Sequence, residues 1–176
     1  MATKKSMWIL FGTLVISAWV LGSITQAGAQ TYTMKCRETG YAPKAHPIEV
    51  GDVPGHIIGV GEYAGVLSCD DGSVATTSIK SSIDYIKGSG KFHSYWVATY
   101  EDGSTSWTRL SGSATPGAEG KTASWESLTG EFIKGTGRFE GIKGSVTFTG
   151  KRLAPSPGTG TQYYIDWAFT YTLPSK

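Results

Sequence analysis

The chain has 176 residues, of which 16 are basic, 14 are acidic and three are histidines. Two of the basic residues, Lys4 and Lys5, lie at the N-terminus ahead of an apolar stretch, and the rest of the chain has 14 basic and 14 acidic residues. It contains no cluster of Lys and Arg that would follow a phosphate backbone, and no basic amphipathic helix. These features argue against binding to nucleic acid or to a membrane surface.

The first 29 residues have the pattern of a secretory signal peptide. A short basic start precedes an apolar run from Met7 to Leu21, and Ala27-Gly28-Ala29 supplies the small residues of a cleavage site. The apolar run is too short to span a bilayer comfortably, which favours cleavage before Gln30 over an uncleaved membrane anchor. We therefore expect a signal peptide at 1–29 and a single domain at 30–176. The mature protein is expected to be secreted or periplasmic and free of the membrane.

After Gln30, apolar and polar residues alternate in short runs separated by glycines, which is the pattern of β-strands. In chain order, the expected strands are 31–38, 56–69, 73–79, 82–87, 92–101, 104–114, 121–133, 145–152 and 163–173. The last run is the clearest, because its six large apolar residues from Tyr163 to Leu173 share one face. The segment 39–55 contains three prolines and is expected to be an ordered loop across one end of the sheet.

Short strands at regular spacing with glycine turns predict a sandwich or a closed barrel. The spacing gives about eight strands, and eight strands close a barrel that holds side chains or one small ligand. The expected fold class is therefore all-β, an eight-stranded antiparallel closed β-barrel. Asp102-Gly103 is typical of a type I′ hairpin turn. The similar segments Tyr85–Phe92 and Phe132–Phe139 are expected to form two equivalent strand–turn–strand corners.

Cys36 and Cys69 are the two cysteines of the chain. In an exported protein such a pair forms a disulfide more often than two free thiols. The alternative, a catalytic thiol, has no histidine partner nearby in the sequence. By the chain-entropy model, a disulfide between these positions contributes roughly 3–4 kcal/mol.

Several motifs of enzymes and cofactor sites are absent or incomplete. Two glycine-rich segments, Gly59–Gly65 and Gly135–Gly141, have one residue too many for a dinucleotide fingerprint and do not join a strand to a helix. No Gly-x-Ser-x-Gly elbow is present. His46, His56 and His93 lack the spacing of metal ligands. We therefore expect neither a metal nor a cofactor.

The candidate site residues are aromatic side chains with a few polar groups among them. The expected ligand-binding residues are Trp96, Tyr100, Trp107, Arg109 and Trp167, since small-molecule pockets are mostly apolar with a few placed polar groups. Glu62 and Glu126 are the candidate catalytic residues, because a carboxylate desolvated in such a pocket has a raised pKa and acts as an acid or a base. The alternative is that the aromatic residues form the core and the charges face solvent.

The segment Thr129–Lys151, with its run Gly135-Thr136-Gly137-Arg138-Phe139-Glu140-Gly141, resembles the final hairpin of allene oxide cyclase-like barrels. That group is related in shape to dirigent proteins and, more broadly, to calycins. Tyr100–Ser104 and Gly112–Gly117 also resemble its bacterial members. The resemblance implies an eight-stranded barrel with an apolar cavity, in which catalysis relies on holding a flexible substrate in one conformation. Plant cyclases use a water held by Asn and a cavity Glu, and this chain has no Asn.

Three functions remain open from the sequence. The first is an exported protein that binds an apolar or aromatic small molecule. The second is a cyclase or dirigent-type enzyme that orients an unsaturated substrate, and the third is a structural or interaction module with a filled interior. Plant relatives often form dimers or trimers, but no feature of this sequence specifies an oligomer.

Overall fold

The computed structural model describes residues 30–118, 122–154 and 161–175. The expected signal peptide at 1–29 lies outside the described residues. The strands are β1 (Thr31–Glu49), β2 (His56–Cys69), β3 (Val74–Ile86), β4 (Ser89–Tyr100), β5 (Thr105–Pro116), β6 (Ala123–Gly135), β7 (Lys143–Arg152) and β8 (Thr161–Thr172). A 3₁₀ helix, Gly137–Phe139, lies between β6 and β7.

Each strand pairs antiparallel with the next along the chain, and β1 pairs with β8, so the sheet closes into a barrel. The predicted fold class is therefore confirmed. Strands β1, β3, β5 and β7 end at one end of this barrel, which we call the open end. Strands β2, β4, β6 and β8 end at the opposite end, where β1 begins, and we call this the terminal end.

Two strands are longer than the sequence indicated. β1 continues through most of the segment that was expected to be a loop, with a bulge between Tyr41 and Lys44, and stays paired with β2 as far as Glu49. Pro47 is tolerated in this extension because the pairing of β1 with β8 ends at Ala42, and an edge position needs no N–H donor. The two short strands expected at 73–87 are one continuous strand, β3.

The turns also differ from the prediction. Ile86 pairs with Ser89 around Lys87 and Gly88, which both have positive φ, so the type I′ turn lies here. At Asp102-Gly103 only the glycine has positive φ, and a three-residue loop with a bulge joins the strands. The segments Tyr85–Phe92 and Phe132–Phe139 are not equivalent corners, because the first turns tightly at the open end and the second contains the 3₁₀ helix at the terminal end.

The barrel interior is packed with aromatic and aliphatic side chains. Towards the terminal end, the 3₁₀ helix places Phe139 against Tyr100, with ring centroids 4.8 Å apart. The guanidinium of Arg138 lies over both rings and pairs with Asp102. This end of the barrel is therefore filled by side chains.

A disulfide joins Cys36 of β1 to Cys69 of β2, which are direct register partners. The predicted pairing is confirmed, and no cysteine in the described residues is free. Within these residues, no helix has the length and apolar character to cross a membrane.

Candidate functional site

The most unusual group in the barrel is the carboxylate of Glu38, which is completely buried in the interior. Strand alternation places it there, because Met34, Cys36 and Glu38 occupy successive inward positions of β1. A buried carboxylate is stable only where its lost hydration is replaced by hydrogen bonds or an opposite charge. The side chains around Glu38 therefore determine its protonation state.

Four neutral side chains donate hydrogen bonds to Glu38. Its Oε1 accepts from the hydroxyls of Thr77, at 2.6 Å, and Tyr163, at 2.7 Å. Its Oε2 accepts from the indole Nε1 of Trp96, at 2.9 Å, and of Trp167, at 3.0 Å. The donors come from β3, β4 and β8, so this Glu38 cluster crosslinks four strands through the middle of the barrel.

Burial raises the pKa of Glu38, while the hydrogen bonds from Thr77, Tyr163, Trp96 and Trp167 act in the opposite direction. Burial and the negative charge of Glu38 together raise the pKa of Tyr163. Tyr163 therefore remains a neutral phenol and a hydrogen-bond donor. None of the four donors carries a charge that compensates the carboxylate.

Two glycines make room for the Tyr163 hydroxyl. Gly40 and Gly65 are register partners on β1 and β2, and Gly40 is also the partner of Tyr163 on β8. A Cβ at Gly40 would lie 2.7 Å from the Tyr163 hydroxyl, and a Cβ at Gly65 would lie 2.8 Å from it and 3.0 Å from Oε1 of Glu38. The site thus depends on the absence of side chains at these positions.

A mostly apolar cavity lies between the Glu38 cluster and the open end. The space not filled by atoms is about 420 Å³ and partly open to solvent. The enclosed part has room for about two water molecules. Two serines that hydrogen-bond to each other, Ser81 and Ser94, form a polar spot on the wall. The lining residues are Tyr63, Ile79, Ser81, Ile83, Tyr85, Phe92, Ser94, Leu110, Trp125, Phe148, Tyr163, Ile165 and Trp167.

Several polar groups lie at the open end of the barrel. Burial raises the pKa of Tyr63 and Tyr85, and the nearby charge of Arg152, the last residue of β7, partly opposes both shifts. At the rim of the barrel, the imidazole of His56 bridges the carboxylates of Asp52, at 2.6 Å, and Asp84, at 2.9 Å. This bridge ties the connection after β1 to β3.

The structure distributes the predicted ligand-binding residues over three locations. Trp167 lines the cavity and also donates to Glu38. Trp96 and Tyr100 are buried in the interior but do not line the cavity. Trp107 and Arg109 point outward from β5, where the Trp107 side chain is 38% exposed and Arg109 forms an ion pair with Glu131.

The two carboxylates predicted to project into the cavity, Glu62 and Glu126, lie on the outer surface instead. On β2 the inward position belongs to Tyr63, so its neighbour Glu62 faces solvent. On β6 the register shifts between Trp125 and Leu128, and both of these residues are buried. The bulge breaks the alternation that would have placed Glu126 in step with Leu128.

Sequence reasoning missed Glu38, although a signal for it was present. The alternation that places Met34 and Cys36 inward reaches Glu38 two residues later, still within the expected first strand. A charged residue at an inward position is rare unless it is paired or hydrogen-bonded, so the pattern itself marks a candidate site. Among the described residues, no group of three or more His, Cys, Asp or Glu side chains is placed to hold a metal ion.

No known family profile matches the chain, and no curated protein matches it. Among solved structures, a protein of unknown function from the DUF3224 family of Shewanella oneidensis MR-1 aligns with a TM-score of 0.44 and 16% identity. That alignment covers 83% of this chain and 99% of that one. The pterocarpan synthase dirigent protein GePTS1 aligns with a TM-score of 0.40 and 13% identity, over 84% of this chain and 87% of its own. Neither alignment shows that this chain belongs to the family of those proteins or shares their activity.

Proposed function

We propose that the protein is an exported β-barrel that binds an apolar or aromatic small molecule in the cavity above Glu38. The disulfide and the signal-peptide pattern support a secreted or periplasmic location. The aromatic and aliphatic lining of the cavity supports an apolar ligand.

The observation that carries this proposal is the buried Glu38 beneath the cavity floor. A buried charge costs free energy that well-packed apolar side chains avoid, so stability alone does not explain a carboxylate at this position. Perturbed carboxyl groups next to a cavity are typical of functional sites. Tyr163 and Trp167 belong both to the cavity wall and to the Glu38 cluster, so a ligand in the cavity would contact two of the residues that donate to Glu38.

The size of the cavity limits the ligand and the way it enters. The enclosed part of the cavity holds only about two water molecules. A ring-sized molecule therefore binds only if side chains at the opening, such as Tyr63 and Tyr85, turn outward. We expect a compact ligand and binding that is slower than diffusion permits.

Tryptophan fluorescence tests the proposal, because Trp125 and Trp167 line the cavity. The variant Trp107→Phe removes the exposed indole and leaves emission from buried ones in the barrel. Titration of this variant with a compact aromatic probe is expected to change the emission in a saturable way. Native mass spectrometry after gentle purification is expected to show a bound small molecule. A spectrum without adducts, together with no response to any apolar probe, would favour a filled structural module.

A second candidate function is a cyclase or dirigent-type enzyme that orients an unsaturated substrate in the cavity. Tyr163 favours it, because its hydroxyl donates to Glu38 while its ring lines the cavity. In that arrangement Tyr163 accepts a proton from the substrate as its own proton passes to Glu38. The resemblance of Thr129–Lys151 to allene oxide cyclase-like barrels supports the same reading.

Substitutions in the Glu38 cluster separate the enzyme from the binding protein. Under the enzyme hypothesis, Tyr163→Phe and Glu38→Gln abolish turnover while ligand affinity changes little. Glu126→Gln, on the outer surface, serves as the matched control and leaves turnover unchanged. Normal turnover in both cluster variants would exclude a catalytic role for the pair.

A further inference from the structure

Three rings at the cavity are arranged like the sides of a box. Tyr63, Trp125 and Tyr163 lie with their centroids 5.6–6.4 Å apart in each pair, and their planes meet at 66–87°. We call these three residues the aromatic box. These are edge-to-face contacts, in which the edge of one ring covers part of the face of another. The ring faces that remain turned to the cavity carry the negative potential that attracts cations.

The distribution of charged groups around the cavity also bears on the charge of a ligand. Its lining contains no Lys, Arg, His, Asp or Glu side chain among the described residues. Directly behind Tyr163 and Trp167 lies the carboxylate of Glu38, whose four hydrogen-bond donors are neutral. In a water-poor interior, the field of such a charge is screened far less than at the surface. Burial favours the neutral form of Glu38 and its four donors favour the carboxylate; as the carboxylate, Glu38 would make the floor of the cavity electronegative.

Arg152 is the positively charged group that acts on the phenols of Tyr63 and Tyr85 at the opening. It belongs to the last position of β7, at the open end of the barrel. Its charge repels a cation, and this repulsion weakens with distance from the opening, so the carboxylate of Glu38 must outweigh it for a cation to bind. It would attract an anionic ligand instead, which gives the test a clear opposite outcome.

From this geometry we propose that the cavity selects an organic cation, a quaternary or protonated amine carried on a compact apolar or aromatic frame. This inference rests on the proposed binding function and specifies its ligand class. The aromatic box supplies cation–π contacts, and Glu38 supplies the negative potential beneath it. The apolar wall formed by residues such as Ile83 and Leu110 contacts the uncharged part of the ligand.

The test compares probes of one shape and different charge. Phenyltrimethylammonium and tert-butylbenzene are isosteric, the first cationic and the second neutral, and phenylacetate is an anionic aromatic probe. Binding to the Trp107→Phe protein is measured by fluorescence or calorimetry at low salt. We expect the cation to bind about tenfold more tightly than its neutral isostere, the ratio expected for about 1.4 kcal/mol of cation–π and charge attraction.

Two variants assign the preference to its source. Glu38→Gln is expected to bring the affinity ratio of the cation to the neutral probe close to one. Glu126→Gln removes a carboxylate from the outer surface and is expected to leave the ratio unchanged. If Glu38→Gln fails to fold, Trp125→Leu takes its place, because it removes one side of the box and is expected to lower affinity for the cation more than for the neutral probe.

Each outcome distinguishes this inference from the function on which it rests. Equal or tighter binding of tert-butylbenzene overturns the cation preference and leaves the binding function standing. Tightest binding of phenylacetate overturns it in favour of recognition by Arg152. A cation preference that survives both Glu38→Gln and Trp125→Leu also overturns it. Absence of binding by all three probes contradicts both the inference and the proposed function.

Discussion

Trp96 and Trp167 lie with their ring centroids 5.1 Å apart, and both donate their indole N–H to the same oxygen of Glu38. An indole nitrogen donates hydrogen bonds and cannot accept them. A proton on Oε2 would therefore face two donors, so this half of the site is built for an unprotonated oxygen. The convergence of two indoles makes Glu38 a central element of the interior as well as a candidate functional group.

The first prediction concerns the stability of the Glu38 cluster. Glu38→Ala is expected to lower the free energy of unfolding by several kcal/mol, about 1–3 kcal/mol for each buried donor that it leaves without an acceptor. Glu38→Gln is expected to cost less, about 1–3 kcal/mol, since its amide oxygen still accepts from both indoles. Urea denaturation measures both values. The exposed Glu126→Gln is the control and is expected to stay within about 0.5 kcal/mol of the parent.

If Glu38→Ala proved as stable as the parent, the hydrogen bonds around Glu38 would not contribute to the fold as inferred here. Equal losses for Glu38→Ala and Glu38→Gln would show that the negative charge contributes the stabilisation, and that acceptance by a neutral oxygen does not replace it.

A second prediction concerns the glycines around Tyr163. Gly65→Ala places a Cβ 2.8 Å from the Thr39 carbonyl oxygen and from the Tyr163 hydroxyl, so the surroundings must shift. Overpacking of this kind costs about 1–3 kcal/mol. Gly61→Ala on the same strand is the matched control, because its nearest neighbour is the Tyr63 side chain at 3.3 Å. Thermal denaturation is expected to show a clearly larger loss for Gly65→Ala.

Combining Gly65→Ala with Tyr163→Phe reports on the position of the Tyr163 hydroxyl. If the Tyr163 hydroxyl is the main obstacle, Tyr163→Phe is expected to relieve part of the Gly65→Ala penalty, and the two effects will not add. Strict additivity of the double variant would mean that the clash with the Thr39 carbonyl dominates.

The third prediction concerns the disulfide. Replacing both Cys36 and Cys69 with Ser is expected to lower the free energy of unfolding by about 3–4 kcal/mol, since the bond restricts the unfolded chain. Denaturation of the intact parent with and without a reductant provides an independent measurement. A thiol assay on unreduced, unfolded protein is expected to find no free thiol. Two reactive thiols in that assay would contradict the bond.

The fourth prediction is a pH dependence of stability that arises at the rim. Hydrogen bonds to Asp84 and Asp52 raise the pKa of His56. A raised pKa in the folded state means that this stabilisation is fully present below the unfolded value, about 6.5, and is lost as pH rises through the folded value. The melting temperature of the parent is therefore expected to fall across that range.

His56→Gln tests this assignment, because it is expected to flatten the pH profile above about pH 6.5. Asp84→Asn removes one of the two carboxylates and is expected to reduce the slope without abolishing it. An unchanged slope in His56→Gln would place the dependence in another group.

Much of the architecture was predictable from the sequence because strand alternation is a local property. The run from Tyr163 to Leu173 has the predicted inward face, and Phe92, Trp96, Ala98 and Tyr100 point inward together from β4. The site was less predictable. Its two proposed carboxylates, Glu62 and Glu126, face solvent, while Glu38 was overlooked.

The errors have identifiable physical causes. A bulge inserts an unpaired residue, so alternation read across Trp125 and Leu128 assigns Glu126 to the wrong face. The prolines of the β1 extension indicated a loop, but an edge position tolerates a residue without an N–H. For Glu38, the signal was the alternation of β1, which places Met34 and Cys36 inward and reaches Glu38 two residues later.

By itself, the sequence determined the all-β class, the approximate strand number and the inward faces of the regular strands, since these follow from the order of neighbouring side chains. It also identified the disulfide from its only two cysteines. Tertiary structure alone decided that Thr77, Trp96, Tyr163 and Trp167 meet at one carboxylate. These residues are separated from Glu38 by 39 to 129 positions, and only the register and closure of the barrel bring them within hydrogen-bond distance.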